Sequence, residues 1–172
     1  MTSRYEGMAG HLLRRCHQIA VAIFLDECKA FELTPLQFAV LDSLHANGPQ
    51  DQVTLGGAVA LDRTTISLVI GKLEQRELVR REKSALDKRA KIVTITASGK
   101  DLADAALRAV QSAQQRIVAP LDDTETGQLL QLLAKLAQGN NSLSRAPEKM
   151  QRHGTLAARS KTSTPGRVWR MP

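Results

Sequence analysis

Residues 62–99 decide the fold, and they read DRTTISLVIGKLEQRELVRREKSALDKRAKIVTITASG. The first part repeats apolar residues at helical spacing and predicts a helix over 64–76. The pattern then changes period, and 78–82 and 91–95 are candidates for two short β-strands. The segment between these strands, 83–90, is polar and basic. The stretch therefore predicts a helix followed by a β-hairpin with a basic tip.

The helix over 64–76 has two different faces. Asp62 is its expected N-cap, since a carboxylate there accepts hydrogen bonds from the first turn. The apolar residues of the inward face, spaced i, i+3, i+4 and i+7, are Ile66, Val69, Ile70 and Leu73. The outward face carries Thr64, Thr65, Ser67, Leu68 and Lys72. A shorter helix, predicted from Thr54 to about Ala60, precedes it. Two short helices joined by a tight turn match a helix-turn-helix, and the basic hairpin that follows is interpreted as its wing.

Two further helices are predicted before the helix-turn-helix. The first covers residues 10–30, where apolar residues recur at helical spacing: Leu12, Cys16, Ile19 and Ile23. Its apolar stripe is wide and needs more than one packing partner, either inside the monomer or in a second subunit. The second begins at 34–37 (TPLQ), a capping-box sequence with proline at the first helical position, and ends at 47–49 (NGP).

Two more helices are predicted after the hairpin. Thr96 can cap a helix that runs to about Val118. Asp122 and Glu125 form a second capping-box pattern, and the leucine-rich helix that follows is ended by Gly139.

The predicted fold is therefore mainly α with a small β-hairpin wing, an α+β arrangement. A winged helix-turn-helix covers 34–96, and a helical frame is built from 8–31 and 97–138. Together they form one domain over 1–138, as the length of 172 residues favours. The tail, 139–172, mixes Ser, Thr, Pro, Gly and Arg without periodicity and is expected to be disordered.

The charge of the chain favours a polyanionic partner. The 24 Lys and Arg residues against 17 Asp and Glu residues give a net charge of +7. Residues 62–100 hold ten basic and five acidic side chains, and 139–172 hold seven and one. The first of these segments must fold, so a basic folded patch is the more informative signal.

Other features of the sequence exclude whole classes of protein. No run of 18 apolar residues is present, the N-terminus lacks a secretory pattern, and two cysteines cannot build a disulfide framework. We therefore expect a cytoplasmic protein without a membrane partner. No Ser/His/Asp arrangement, glycine-rich phosphate loop or paired carboxylates support an enzyme. The four histidines lack metal-ligand spacing, so neither a metal nor another cofactor is expected.

The helix over 64–76 and the hairpin supply what DNA recognition needs. An exposed helix that presents short polar side chains and cations fits the major groove, and flanking cations neutralise phosphate. The flanking cations are Arg80, Arg81, Lys83, Lys88, Arg89 and Lys91. The alternative is a merely solvated charged hairpin, but a position directly after a helix-turn-helix favours DNA.

Five short motifs resemble the MarR family of winged-helix transcription regulators. They are 62–67 (DRTTIS), 73–74 (LE), 78–81 (LVRR), 87–89 (DKR) and 96–99 (TASG). The resemblance covers about residues 8–138. It implies a homodimer whose terminal helices form the dimer frame, and which reads palindromic operators in double-stranded DNA. It further implies repression, relieved by a small and often aromatic anionic effector.

The resemblance also assigns roles to individual residues. Thr64, Thr65, Ser67 and Lys72 would face the major groove, with Arg63 beside them. Arg89 would enter the minor groove, oriented by Asp87, while Lys83 and Lys88 flank it. The family usually has glycine where this sequence has Glu77, so a left-handed conformation there would cost about 1 kcal/mol. Gly71 inside the helix costs roughly the same relative to alanine.

Three questions remain open from the sequence. Arg15 and His17 are candidates for binding an effector carboxylate, with Phe38 as an aromatic wall, although cations at a surface and an ordinary core residue are the alternatives. Cys16 lies between basic residues and could act as a redox sensor, or simply be a small apolar residue of the helix. Winged helices also serve as protein-interaction modules, the competing function class.

Overall fold

The computed structural model describes residues 4–83 and 91–146. In chain order the elements are α1 (Ala9–Glu27), α2 (Pro35–Asn47), β1 (Gln50–Asp51), α3 (Gln52–Ala58), α4 (Arg63–Gln75), β2 (Val79–Lys83), β3 (Lys91–Ile95), α5 (Ala97–Val118) and α6 (Asp123–Gly139). Short 3-10 turns follow α1 at Lys29–Phe31 and α6 at Asn141–Leu143. The predicted fold class, mainly α with a small antiparallel sheet, is confirmed.

The predicted capping boxes at α2 and α6 are confirmed. Thr34 Oγ1 accepts a hydrogen bond from the Gln37 amide at 3.3 Å, and Gln37 Oε1 accepts one from the Thr34 amide at 3.0 Å. Asp122 and Glu125 exchange the same pair of bonds at 2.8 and 3.0 Å. Each box satisfies two amide groups that a helix start otherwise leaves without a partner.

The structure corrects two predicted helix bounds. α1 ends at Glu27 and not at about Ala30, because the chain tightens there into the 3-10 turn. α3 begins before Thr54, since its N-cap is Asp51. The Asp51 carboxylate accepts the amide N–H groups of Thr54 and of the preceding residue, both at 3.0 Å, and the Thr54 hydroxyl donates to it at 2.5 Å. Thr54 thus supports the first turn rather than starting it.

A three-stranded antiparallel sheet lies beside the helices, with strand order β1-β3-β2. The predicted hairpin of β2 and β3 is confirmed, and at its base Val79 pairs with Ile95. The sequence analysis missed β1, which pairs with the middle of β3. Two residues are too few to display the alternation that marks a strand. The tip of the wing, 84–90, lies outside the described residues.

The core is aliphatic and lies between α2, α3, α4, α5 and the sheet. The four residues predicted for the inward face of α4 are all buried, which confirms that face. They pack in one cluster with residues from the other elements, among them Val40, Leu41, Leu44, Leu55, Val79, Val93, Ala106 and Val110. Because this cluster fixes one side of α4, the opposite side lies at the surface.

α1 and α5, two helices of the predicted frame, pack along each other. Arg116 of α5 binds Asp26 at 2.5 Å and Glu27 at 2.8 Å, at the C-terminal end of α1. Hydrogen bonds from this guanidinium hold the pKa of both carboxyls below the ordinary value. Since exposed ion pairs add little to stability, apolar packing is the main force between the two helices.

The outer faces of α1 and α6 carry large apolar side chains at the surface of the described chain. They are Leu12, Leu13, Ile19 and Leu25 in α1, and Leu130, Leu132, Leu133 and Leu136 in α6. A helix with such a face needs a further packing partner. Within residues 4–83 and 91–146, no single helix is long and apolar enough to cross a membrane, although α3 and α4 pass that test as a pair bent by 103°.

Candidate nucleic-acid interface

The first turn of α4 is held by Asp62, as the sequence predicts. Asp62 Oδ1 accepts hydrogen bonds from the amides of Thr64 at 2.9 Å and Thr65 at 3.1 Å, and Oδ2 accepts one from the Thr65 hydroxyl at 2.8 Å. These bonds, led by that from the Thr65 amide, lower the pKa of the Asp62 carboxyl. The carboxylate therefore stays charged at neutral pH and fixes the N-terminal turn.

The structure brings most of the predicted DNA-contacting residues of α4 to one exposed face. Those at the surface are Arg63, Thr64, Ser67 and Lys72. Thr65 is half-buried, because its hydroxyl is engaged by the Asp62 cap. The face combines short polar groups with two cations, a composition suited to base edges and phosphates.

Two lysines face each other at the end of the described hairpin. Lys83 of β2 and Lys91 of β3 are cross-strand partners, and both are exposed. Like charges at directly opposed positions destabilise a strand pair. An anion bound between them would remove that repulsion. The remaining wing candidates, Asp87, Lys88 and Arg89, lie outside the described residues.

The two arginines of β2 differ in their partners. Arg81 Nε donates to Glu74 Oε2 at 2.9 Å, and its Nη2 contacts the same oxygen, so β2 is attached to α4. The hydrogen bond from Arg81 holds the pKa of the Glu74 carboxyl below its ordinary value. Arg80 is exposed and pairs with Glu82 at 3.2 Å. Arg81 therefore serves the fold, whereas the sequence placed it among the cations available to phosphate.

The turn after α4 has the hydrogen bonds of a Schellman motif. The Leu78 amide donates to the Leu73 carbonyl at 3.0 Å, and the Glu77 amide donates to the Glu74 carbonyl at 2.9 Å. Glu77 adopts the left-handed conformation with φ 57°, at the position where such motifs favour glycine. Glu77 therefore keeps the turn for which the family usually uses glycine, at a strain of about 1 kcal/mol.

The start of α5 is hydrogen-bonded to this same turn. The Thr96 hydroxyl donates to the Glu77 carbonyl at 2.8 Å, and the Thr96 amide donates to the Leu78 carbonyl at 3.1 Å. Thr96 Oγ1 in turn accepts from the Gly99 amide at 3.0 Å. A Cβ at Gly99 would lie 2.1 Å from the Leu78 carbonyl oxygen. The 96–99 motif therefore holds α5 against the end of α4.

A second Schellman turn joins α3 to α4. The Leu61 amide donates to the Gly56 carbonyl at 2.8 Å, and Ala60 is left-handed with φ 54°. A Cβ at Gly56 would lie 2.9 Å from the Leu61 carbonyl oxygen of this turn and 3.4 Å from Ile66 Cγ2 of α4, so the turn and α4 leave little room at this glycine. The sequence analysis missed this contact. The signal that marks it is the Gly-Gly pair at 56–57.

The C-terminal end of α4 also contacts the connection between α1 and α2. Arg76 Nη1 donates to the Glu32 carbonyl at 2.7 Å, and Nη2 donates to the Phe31 carbonyl at 3.2 Å. Arg76 was not singled out from the sequence, because backbone acceptors 44 and 45 residues away leave no local pattern. The frame and α4 are thus joined directly.

The candidate effector residues differ in exposure. Phe38 is buried in α2, with its ring 6.3 Å from that of Phe24, while Arg15 and His17 are exposed on α1. Two positions apart on a helix, these cations point about 200° from each other. Their role with Phe38 stays a prediction.

The two cysteines lie in different environments. Cys16 is exposed on α1, not part of the core, and the buried Cys28 thiol has a pKa raised by burial. Exposure is compatible with thiol chemistry at Cys16. No contact of the described chain decides its role, and the redox hypothesis stays a prediction.

Comparison with known proteins identifies the family. The MarR family model matches residues 33–91, from just before α2 to the start of β3. The HTH-type transcriptional repressor NicR of Pseudomonas putida is 34% identical over 133 residues, which cover 77% of this chain and 84% of NicR. The chain belongs to the MarR family. It is accordingly a DNA-binding transcriptional regulator, as the sequence motifs predict.

Two solved structures resemble this MarR-family chain over nearly their whole length. A probable transcriptional regulator from Pseudomonas aeruginosa is 33% identical with a TM-score of 0.74, covering 77% of this chain and 99% of that one. BpsR of Bordetella bronchiseptica is 31% identical with a TM-score of 0.74, covering 80% and 98%. That structure concerns regulation of BpsR DNA binding by 6-hydroxynicotinic acid. These matches confirm the winged-helix fold.

The contact between Gly99 and Leu78 predicts the effect of adding one methyl group to this MarR-family fold. We expect Gly99→Ala to lower the free energy of unfolding by about 1–3 kcal/mol, because the methyl group and the Leu78 carbonyl cannot occupy the same space. Urea denaturation followed by circular dichroism measures the change. In the matched control Gly71→Ala, the Cβ meets nothing within 4 Å. It should raise stability by about 1 kcal/mol. Equal stability of the Gly99→Ala protein and the wild type would contradict this packing.

Proposed function

We propose that this regulator is a homodimeric repressor that inserts one α4 of each copy into the major groove of a palindromic operator. The observation that carries the proposal is the division of α4 into a buried apolar face and an exposed face of short polar and basic side chains. A helix fixed in this way presents its exposed face rigidly to a groove of matching width.

Different residues of the interface have different roles in this proposal. Thr64, Ser67 and Lys72 contact base edges, while Thr65 holds the first turn through its bond to Asp62. Arg63 and Lys83 contact phosphates, and the repulsion between Lys83 and Lys91 favours an anion at that position. In the wing, Lys88 contacts phosphate and Arg89 enters the minor groove, oriented by Asp87.

The dimer is supported by the apolar faces of α1 and α6. The leucines of α6 are exposed in the single chain, and a second copy of the same face would cover them. Since α5 is attached to the end of α4 through Thr96, a dimer built on the frame also sets the distance between the two α4 helices. Operator half-sites one helical turn apart, roughly 34 Å, would suit such a dimer.

We further propose that an aromatic carboxylic acid releases the repressor from DNA. Support comes from the similar protein BpsR, whose DNA binding is regulated by 6-hydroxynicotinic acid. Because Arg15 and His17 point in different directions, one pocket uses one of them for the carboxylate, with Phe38 near the ring. The acid acts only if it binds the DNA-free arrangement more tightly than the DNA-bound one.

Binding to duplex DNA tests the assignment of the interface. Arg89→Ala is expected to weaken operator binding at physiological salt while leaving the fold intact, because a minor-groove cation is lost. Lys72→Ala should alter sequence preference more than overall affinity. Fluorescence anisotropy on the operator and on unrelated duplexes, over a range of salt concentrations, measures both. An unchanged affinity for Arg89→Ala, or an equal loss on all duplexes for Lys72→Ala, would reassign these residues. Weak binding without salt dependence would favour a protein-interaction module.

The apolar face of α6 predicts the oligomeric state. Analytical ultracentrifugation of the wild type should give twice the mass of the chain, and Leu133→Glu should shift the protein toward monomer, because a charge cannot be buried there without a partner. The matched control is Leu143→Glu, since Leu143 lies outside α6 and is 81% exposed. A wild type that stays monomeric at micromolar concentration would contradict the dimer.

Release from DNA tests the effector class. Adding 6-hydroxynicotinic acid to the operator complex should lower the affinity for DNA, while the neutral carboxamide of the same ring should not, because it lacks the anion. Of Arg15→Ala and His17→Ala, one variant should lose the response and the other should keep it. If the acid and the carboxamide act equally, a carboxylate-binding cation is not part of the mechanism.

A further inference from the structure

Leu68 is the exposed apolar residue of the face that we assign to DNA. Within α4, all of whose residues the structure describes, the other large apolar side chains are buried, whereas Leu68 is 64% exposed. It lies one turn after Thr64 and one turn before Lys72, so the three side chains form one row. Packing against the core therefore does not explain why an apolar side chain stands at the position of Leu68.

Leu68 is accessible to a surface that approaches α4. Its neighbours one turn away on this face are Thr64, Gly71 and Lys72. A Cβ at Gly71 would meet nothing within 4 Å, so this side of Leu68 is open. Because Thr64 is short and Gly71 has no side chain, the Leu68 side chain can make contact there beside the exposed Lys72.

The chemistry of the major groove offers one matching group. Base edges there present hydrogen-bond donors and acceptors, which a leucine cannot satisfy and would desolvate at a cost. The exception is the C5-methyl group of thymine, which is apolar. A leucine in the centre of a DNA-reading row therefore favours thymine over the other three bases at the position that it covers.

We propose that Leu68 packs on the C5-methyl group of a thymine and makes thymine the preferred base at one position of each operator half-site. This inference rests on the proposed function, since it requires α4 to lie in the major groove. Burying one methyl group against an aliphatic side chain corresponds to about fourfold in affinity for each half-site. Leu68 is thus a specificity-determining residue that acts through packing and not through hydrogen bonds.

Replacing thymine by deoxyuridine tests this contact, because the exchange removes the methyl group and keeps the base-pairing groups. The operator is first selected from random duplexes with the purified full-length chain. Each thymine of that operator is then replaced singly, first in one half-site and then in the other. For the wild type we expect one position per half-site at which the exchange lowers affinity about fourfold. Leu68→Ala should bind the thymine and deoxyuridine operators equally at that position.

A matched control separates this contact from a general loss of apolar surface. Leu143→Ala removes an exposed leucine outside α4 and should keep the wild-type sensitivity to deoxyuridine. The inference is overturned if no exchange lowers wild-type affinity, or if Leu68→Ala retains the sensitivity at the same position. Failure to select any operator from the random duplexes would overturn the proposed function, and this inference with it.

Discussion

The corner at which α4, β2 and α5 meet is the constraint on which the rest of the structure depends. The carbonyls of Glu77 and Leu78 are both acceptors for Thr96, and the Gly99 backbone lies so close to Leu78 that a side chain has no room. The helix α4 and the long helix α5 are thereby held at one fixed angle. In the proposed dimer, this angle would relate the geometry of the subunit interface to the distance between the two α4 helices.

The sequence predicted the elements whose signals are local. Asp62, Thr34, Thr96 and Asp122 were recognised as caps because capping depends on residues within one turn. The buried face of α4 followed from its spacing. β1 was missed because two residues carry no period, and α3 was predicted to begin at Thr54, whereas its cap is Asp51.

The candidate site was harder to predict where a side chain serves the fold instead of the surface. Arg81 looked like another wing cation, yet it binds Glu74 seven residues earlier. Which charges remain available to a ligand is decided by tertiary contacts, and composition does not reveal those contacts. The left-handed conformation of Ala60 was likewise not predicted, because it belongs to the hydrogen-bonded turn that joins α3 to α4. The assigned roles of residues 87–89 in the wing stay predictions.

The hydrogen bonds from Arg76 to the link between α1 and α2 have a consequence for which substitutions the chain can accept. Its two acceptors are main-chain oxygens of Phe31 and Glu32, which every amino acid carries. Substitutions that change the side chains of this link therefore leave both acceptor atoms in place, as long as the backbone keeps its path. The linkage depends on the side chain of Arg76 and on the backbone of the link, where Glu32 is left-handed with φ 51°, so we expect substitutions to be tolerated more readily in the link than at Arg76.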